Sequence, residues 1–224
     1  VTTLVGIQGD GYAVVGADTQ ITSFDNSGNP YQISNLASGS AKIATNGKYI
    51  LGAAGDMRAI NLLHHAFAPP APPQEARGKK LDSFITAKFI PALTECFDTY
   101  GYSVPDGKDN KDHSSEQNST IIVVVNATIY LIENDYSWTS EASGMYAAGS
   151  GAPYALGALS VLSPKKGMNL QQAKAALLKA LWTAAKLDPN TGSPFHTLSQ
   201  ETGTTEKVVP IKSAPARPKT TRKK

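Results

Sequence analysis

Apolar and polar positions alternate along the chain in blocks whose period changes several times. Residues 3 to 17 hold two apolar runs, Leu4-Val5-Gly6-Ile7 and Tyr12-Ala13-Val14-Val15-Gly16-Ala17, around Gly9-Asp10-Gly11. Asp-Gly supplies the positive φ of a tight turn, so this block predicts a hairpin that brings Thr2 and Asp18 to one end. Residues 19 to 41 are polar and turn-rich, with Asp25, Asn26, Ser27, Gly28, Asn29 and Pro30 together. A second hairpin is predicted from Lys42-Ile43-Ala44-Thr45 and Tyr49 to Gly55 around Asn46-Gly47. Asp56 is placed to cap a helix running to Phe67, which the run Pro69-Pro70-Ala71-Pro72-Pro73 must end.

Over 79 to 100, Leu81, Phe84, Ile85, Phe89, Leu93 and Phe97 form one stripe at helical spacing, with a possible kink at Pro91. The charged run from 103 to 118 reads as a surface loop. Thr120 to Val125 and Thr128 to Ile132 are nearly continuous apolar runs around Asn126-Ala127, the pattern of strands buried on both faces. Residues 152 to 162 and 169 to 187 read as helices, and Val208 to Ile211 as an edge strand. Strands, two helices, strands and two helices in that order predict an α+β fold arranged as a four-layer αββα sandwich.

At 224 residues the chain is expected to form one domain over 1–205, followed by a tail over 206–224. The tail holds seven Lys or Arg against the single acid Glu206, whereas residues 1–205 hold 14 against 17 acids. The net charge of +3 therefore comes from the tail, which lacks apolar periodicity and reads as a disordered solubilising or tethering extension rather than a nucleic-acid arm. No apolar run approaches the roughly 20 residues of a membrane span, and no secretory signal is visible, so a cytoplasmic protein is expected. The single cysteine, Cys96, lies in an apolar helical context and reads as core. The histidines are not spaced with cysteine or carboxylate as a zinc site demands, so neither metal nor cofactor is expected.

The chemistry suggested by the first residues is nucleophilic. A hydroxyl needs an adjacent base, and a threonine at a chain terminus carries one in its own α-amine, which titrates near pH 8. Thr2 meets this condition if Val1, read as an initiator residue, is removed; with Val1 retained the chemistry fails.

These residues resemble the proteasome β-subunits and the HslV-type peptidases of the N-terminal nucleophile hydrolase superfamily. Thr2-Thr3-Leu4-Val5-Gly6-Ile7 is similar to the mature start of that family, Asp18 follows Thr2 by sixteen residues as its aspartate does, and Lys42 stands as its lysine after a longer loop. Gly52-Ala53-Ala54-Gly55 resembles its glycine-rich strand end. Gly149-Ser150-Gly151-Ala152-Pro153-Tyr154-Ala155 is close to its signature ahead of a helix, and Asp188-Pro189-Asn190-Thr191-Gly192 resembles its late Asp-x-x-Ser-Gly with Thr191 for serine. The resemblance runs from residue 2 to about 200, interrupted by inserts near 23–41, 68–74 and 105–117 and by Asp56 where a glycine is usual.

The resemblance implies Thr2 as nucleophile, Lys42 as the cation beside it, Asp18 as the group orienting Lys42, and the Gly55 N–H as oxyanion donor. It implies that Ser150, Asp188 and Thr191 hold the terminal amine, so that removal of Asp18 or Lys42 costs catalysis and not folding. Ile21, Thr22, Ala53 and Met57 would contact substrate, with an apolar pocket open at Ala53 and a hydrophobic or unselective preference before the cut. It also implies a homo-oligomeric ring, protein or peptide substrates and delivery by an AAA+ unfoldase; the alternative is an inactive assembly or scaffold subunit. Each residue also has a plain structural reading: an ordinary ion pair for Asp18 and Lys42, an N-cap for Ser150, a packing glycine at Gly55 and a helix-ending turn at Asp188.

Overall fold

The structure, a computed structural model, describes residues 2–28, 30–37, 41–105, 115–162, 167–202, 204–205 and 209–210. The chain begins with β1 (Thr3–Gly9), β2 (Tyr12–Asp18), β3 (Gln20–Phe24), β4 (Pro30–Asn35), β5 (Ile43–Asn46) and β6 (Tyr49–Gly55). The helices α1 (Met57–His65), α2 (Lys79–Phe84) and α3 (Ile90–Thr99) follow, the last two joined by a π-helical turn at Ile85–Phe89. After them come β7 (Val104–Pro105), β8 (Ser115–Glu116), β9 (Ser119–Val125), β10 (Thr128–Ile132), β11 (Trp138–Thr139) and β12 (Met145–Gly149). The chain continues through α4 (Ala152–Leu162), α5 (Leu170–Leu187), β13 (Phe195–Glu201), β14 (Thr204–Thr205) and β15 (Val209–Pro210).

Two antiparallel sheets carry the architecture. The first runs β12-β1-β2-β13-β14, with β15 also paired to β13, and the second runs β11-β10-β9-β6-β5. Both predicted early hairpins form: Gly9 faces Tyr12 across a turn in which Gly11 holds φ +76°, and Asn46 faces Tyr49 with Gly47 at φ +59°. The β9–β10 turn places Asn126 and Ala127 both at positive φ, the geometry of a mirror-image two-residue turn.

Strand alternation sorts side chains into three buried clusters. On β6 and β9, Tyr49, Leu51, Ala53, Ile121, Val123 and Val125 pack against α1, α2 and α3. The opposite faces, with Ile50, Ile122 and Val124, meet Leu4, Ala13, Val15 and Ala17 of the first sheet. The other face of that sheet, with Val5, Ile7 and Val14, packs on Ala155, Leu159, Ala173, Leu177 and Leu181 of α4 and α5. Each such large side chain contributes about 1.5–3 kcal/mol by leaving water.

Asp56 caps α1 by accepting the Arg58 N–H at 2.9 Å, and the helix stops at His65, two residues short of the predicted Phe67. The predicted long helix over 79–100 is present with Leu81, Ile85, Phe89, Leu93 and Phe97 fully buried. Ahead of Pro91, which has no N–H to give, the helix widens into the π turn, in which the Ile90 N–H reaches back to the Ile85 carbonyl.

Several strands depart from the sequence reading. Residues 20–35, read as turn-rich, hold the hairpin β3–β4, and Phe195–Glu201, not read as a strand, is β13 in the interior of the first sheet. Met145–Gly149 is β12, the partner of β1. The charged run near 103–118 contributes the short β7–β8 pair, while 106–114 lie outside the described residues. Of the edge strand expected at 208–211, Val209–Pro210 forms β15, while 206–208 and the tail from 211 on lie outside the described residues.

Candidate active site

Asp18 ends β2 at zero exposure, and every oxygen of its carboxylate is engaged. Oδ1 accepts the Thr3 N–H at 2.9 Å and Lys42 Nζ at 2.8 Å; Oδ2 accepts the Gln20 N–H at 3.1 Å and the Gly192 N–H at 3.3 Å. One carboxylate therefore ties together the start of β1, the entry to β3, the lysine before β5 and the turn before β13. Lys42 also donates to the Gln20 carbonyl at 2.6 Å and is 1% exposed. Burial pushes the Asp18 carboxyl up, against the Lys42 charge and the N–H donors, and draws the Lys42 ammonium below its ordinary range, against Asp18.

This burial changes the expectation that loss of Asp18 or Lys42 spares folding. Removing one partner leaves the other charge buried and uncompensated, which costs about 3–5 kcal/mol.

A second carboxylate gathers hydroxyls. Asp188, at the C-terminal end of α5, accepts Ser150 Oγ at 2.6 Å and Thr191 Oγ1 at 2.5 Å on Oδ2, and the Asn190 N–H at 3.1 Å on Oδ1. Burial works to raise its pKa, yet these donors outweigh burial and hold it below the usual carboxylate range. Thr191 Oγ1 also lies 2.5 Å from Thr3 Oγ1. Since the Thr191 proton goes to Asp188, the Thr3 hydroxyl donates to Thr191. Thr3 thus has both its N–H and its hydroxyl committed to the frame, which leaves it a brace rather than a reacting group.

Thr2 precedes this brace and is 2% exposed. Gly149, at φ +92°, lies so close that a Cβ there would collide with the Thr2 carbonyl and reach Ala54 at 3.3 Å; a Cβ at Gly151 would strike Thr3 Oγ1. The glycines of the Gly149-Ser150-Gly151 turn are therefore what admits the Thr2-Thr3 segment. Gly55 lies at the end of β6 beyond Ala54, exposed and at φ +139°, where a Cβ would press on the Asn118 carbonyl at 2.5 Å.

Thr2, Asp18, Lys42, Ser150, Asp188 and Thr191 are thus brought into one connected neighbourhood, with Gly55 at its border. Thr22 is buried and its hydroxyl accepts Gln20 Nε2 at 3.2 Å, while Ile21 beside it is half-buried. The opening expected at Ala53 is closed: strand alternation turns Ala53 toward α1, where it is fully buried, and Met57 packs against the same cluster. Sequence reasoning missed Gln20, whose N–H, carbonyl and amide tie Asp18, Lys42, Thr22 and the Pro189 carbonyl together. Nothing local marked it, because its role depends on partners from three distant segments. Among the described residues no group of three His, Cys, Asp or Glu could hold a metal, and no helix is long and apolar enough to cross a membrane.

No family model matches the sequence, and no curated protein matches it. Solved structures match in fold. Thiobacillus denitrificans BPH is 19% identical with a TM-score of 0.66, covering 90% of this chain and 98% of its own; it is also solved in complex with epoxomicin. HslV from Trypanosoma brucei is 18% identical with a TM-score of 0.57 over 89% of this chain and 99% of its own. An Anbu mutant from Hyphomicrobium sp. is 14% identical with a TM-score of 0.62 over 93% of this chain and 86% of its own. The fold is the α+β fold of these proteins. The resemblance to HslV-type proteins seen in the sequence thus holds at the level of the fold.

Proposed function

We propose that the chain is a threonine-type endopeptidase of the proteasome-like, HslV-type family, with Thr2 as nucleophile once it is the first residue. The observation that carries this reading is the shared carboxylate oxygen of Asp18, which holds the N–H of Thr3 and Nζ of Lys42 two hydrogen bonds apart. It fixes the start of β1 against a buried cation.

Thr2 Oγ attacks the substrate carbonyl as its proton passes to the Thr2 α-amine, directly or through water. The C–N bond then breaks, the proton leaves with the amine product, and water hydrolyses the acyl ester to regenerate the hydroxyl. Lys42 stabilises the developing negative charge, and Asp18 orients Lys42. The Gly55 N–H binds the oxyanion, an interaction worth about 3 kcal/mol. Ser150, Asp188 and Thr191 hold the amine or its bridging water. Thr22 and Ile21 border the extended substrate, with Ala53 and Met57 beneath, and the closed environment of Ala53 favours a small or shallowly seated apolar residue before the cut.

The three clusters support a helix, sheet, sheet, helix order, the four-layer αββα sandwich, as one domain over 1–205. Assembly into a homo-oligomeric ring is supported by α4, an 11-residue helix without a charged residue that nonetheless exposes Tyr154, Leu156 and Val161. Within this reading an AAA+ unfoldase feeds protein substrates to the ring. A cytoplasmic setting agrees with the lone Cys96.

The test is hydrolysis of a fluorogenic peptide panel by the wild type and by Thr2→Ala. Loss of at least about 10³-fold in kcat/KM on removal of the nucleophile is expected, with unchanged assembly and circular dichroism. Equal rates in the two proteins would overturn the assignment, and no hydrolysis by either would favour a scaffold subunit.

A further inference from the structure

Gly55 stands under two conditions that oppose each other. Its φ of +139° is a backbone conformation that residues with a side chain rarely adopt, and a glycine at an exposed strand end is also the residue freest to leave it. Its orientation therefore has to be held by a neighbour. β9 supplies one: Ser119 stands opposite Gly55 in the register of β6 and β9, and its Oγ accepts the Asp56 N–H at 3.1 Å. The same oxygen lies 2.7 Å from where a Cβ on residue 55 would sit, so it fills the space that the glycine leaves.

Ser119 is itself clamped. It is buried, and its Oγ lies 3.0 Å from the Tyr102 hydroxyl; one proton and two lone pairs let the serine serve both partners at once. Tyr102 follows α3, donates its N–H to the Phe97 carbonyl at 2.8 Å and meets the Phe97 ring edge-on with centroids 4.9 Å apart. The Ser119 carbonyl accepts Gln117 Nε2, which also reaches the Glu133 carbonyl at 3.1 Å. A tether thus runs from the core under α3 to the peptide that joins Gly55 to Asp56. On the other side of Gly55, Ala54 is held by its pairing with Thr120. With the chain fixed on both sides, the direction of the Gly55 N–H is fixed as well.

We propose that Ser119, backed by Tyr102, is a positioning residue for the Gly55 N–H. This rests on the peptidase reading, in which that N–H meets the oxyanion. Neither hydroxyl is a reacting group. Without the tether the Gly55–Asp56 peptide turns, and the donor is misaimed where charge develops in the transition state. Ground-state binding of a peptide is unaffected, so kcat falls and KM does not.

The experiment compares the wild type with Ser119→Ala, Ser119→Thr and Tyr102→Phe. It reads kcat and KM on a fluorogenic peptide, and affinity for a peptide boronate as a tetrahedral mimic. Ser119→Ala is expected to lower kcat about 10- to 100-fold, less than the roughly 10²- to 10³-fold cost of losing an oxyanion donor outright, with KM within about twofold. Boronate affinity falls by the same factor as kcat. Ser119→Thr, which returns a hydroxyl, recovers most of the rate, and Tyr102→Phe lowers kcat about threefold. An unchanged kcat in Ser119→Ala overturns the proposal, as does a loss carried by KM alone or one that Ser119→Thr leaves in full. Should Ser119→Ala fail to fold, an unchanged kcat in Tyr102→Phe overturns it. If the wild type hydrolyses nothing, the peptidase reading fails. Hydrogen exchange of the Gly55 and Asp56 amides then decides the tether: faster in Ser119→Ala if it holds them, equal to the wild type if it does not.

Discussion

Asp18 shows how much a single buried side chain can organise. Its four hydrogen-bond partners come from segments that begin at residues 3, 20, 42 and 192, so the carboxylate is a structural node as well as a candidate participant in chemistry. The two roles separate by mutation. Asp18→Asn and Lys42→Met singly are each expected to lose about 3–5 kcal/mol of stability, because each leaves half of a buried pair behind. The double variant removes the uncompensated charge but sets an amide NH2 against the backbone N–H groups that both Asp18 oxygens accept, so it recovers only part of that stability; in the peptidase reading it remains without hydrolysis, and denaturant unfolding and a peptide assay on the same three proteins check both statements. Asp18, Lys42 and the glycine turn were legible through the resemblance to the HslV-type family; the local pattern alone placed only Asp18, at the end of the first hairpin beside Thr2. Gln20 was not, because a glutamine in a polar stretch is ordinary until Asp18, Lys42 and Pro189 converge on it.

At the level of elements, legibility followed how much of an element's signal is local. The β1–β2 and β5–β6 hairpins announce themselves through glycine turns between apolar runs, and α2 to α3 through a stripe of large apolar residues. β13 stayed hidden because His196, Thr197, Ser199 and Gln200 are polar yet buried, so its position inside the sheet comes from pairing with β2 rather than from hydrophobicity. β3 and β4 stayed hidden for the opposite reason: much of the hairpin is exposed, which leaves no alternation to read. Glycines give the sharpest element-level contrast. Gly149→Ala is expected to destabilise the protein markedly, since both its φ of +92° and the Thr2 carbonyl oppose a Cβ. Gly157→Ala, in α4 with nothing within 4 Å of the added Cβ, is expected to gain about 0.4–1 kcal/mol. Thermal unfolding of the pair would check the contrast, and a Gly149→Ala protein as stable as the parent would contradict the close approach of the two segments.

For the molecule as a whole, the buried imidazole of His196 and the half-buried one of His64 set a pH dependence. Burial lowers the pKa of His64, whose Nε2 is 3.1 Å from the Leu51 carbonyl, and of His196, whose Nδ1 is buried without a hydrogen-bond partner. A folded-state pKa below the unfolded value means that the unfolded chain binds the extra protons. Stability is therefore full above about pH 6.5 and declines as the pH falls below it. Unfolding midpoints between pH 7 and 5 should show this slope, and replacing both histidines with Gln should flatten it. Assembly is tested at the same scale: Val161→Lys on the uncharged face of α4, where Val161 is 84% exposed, should lower the native mass without unfolding the subunit. An unchanged mass would remove that face from the contact. The central claim is that Thr2 acts through its own amine, and the most direct measurement is the mass and sequence of the N-terminal peptide from the fraction that hydrolyses peptides. The account predicts that the active chain begins at Thr2 with a free α-amine; an active chain that retains a residue ahead of Thr2 would contradict it.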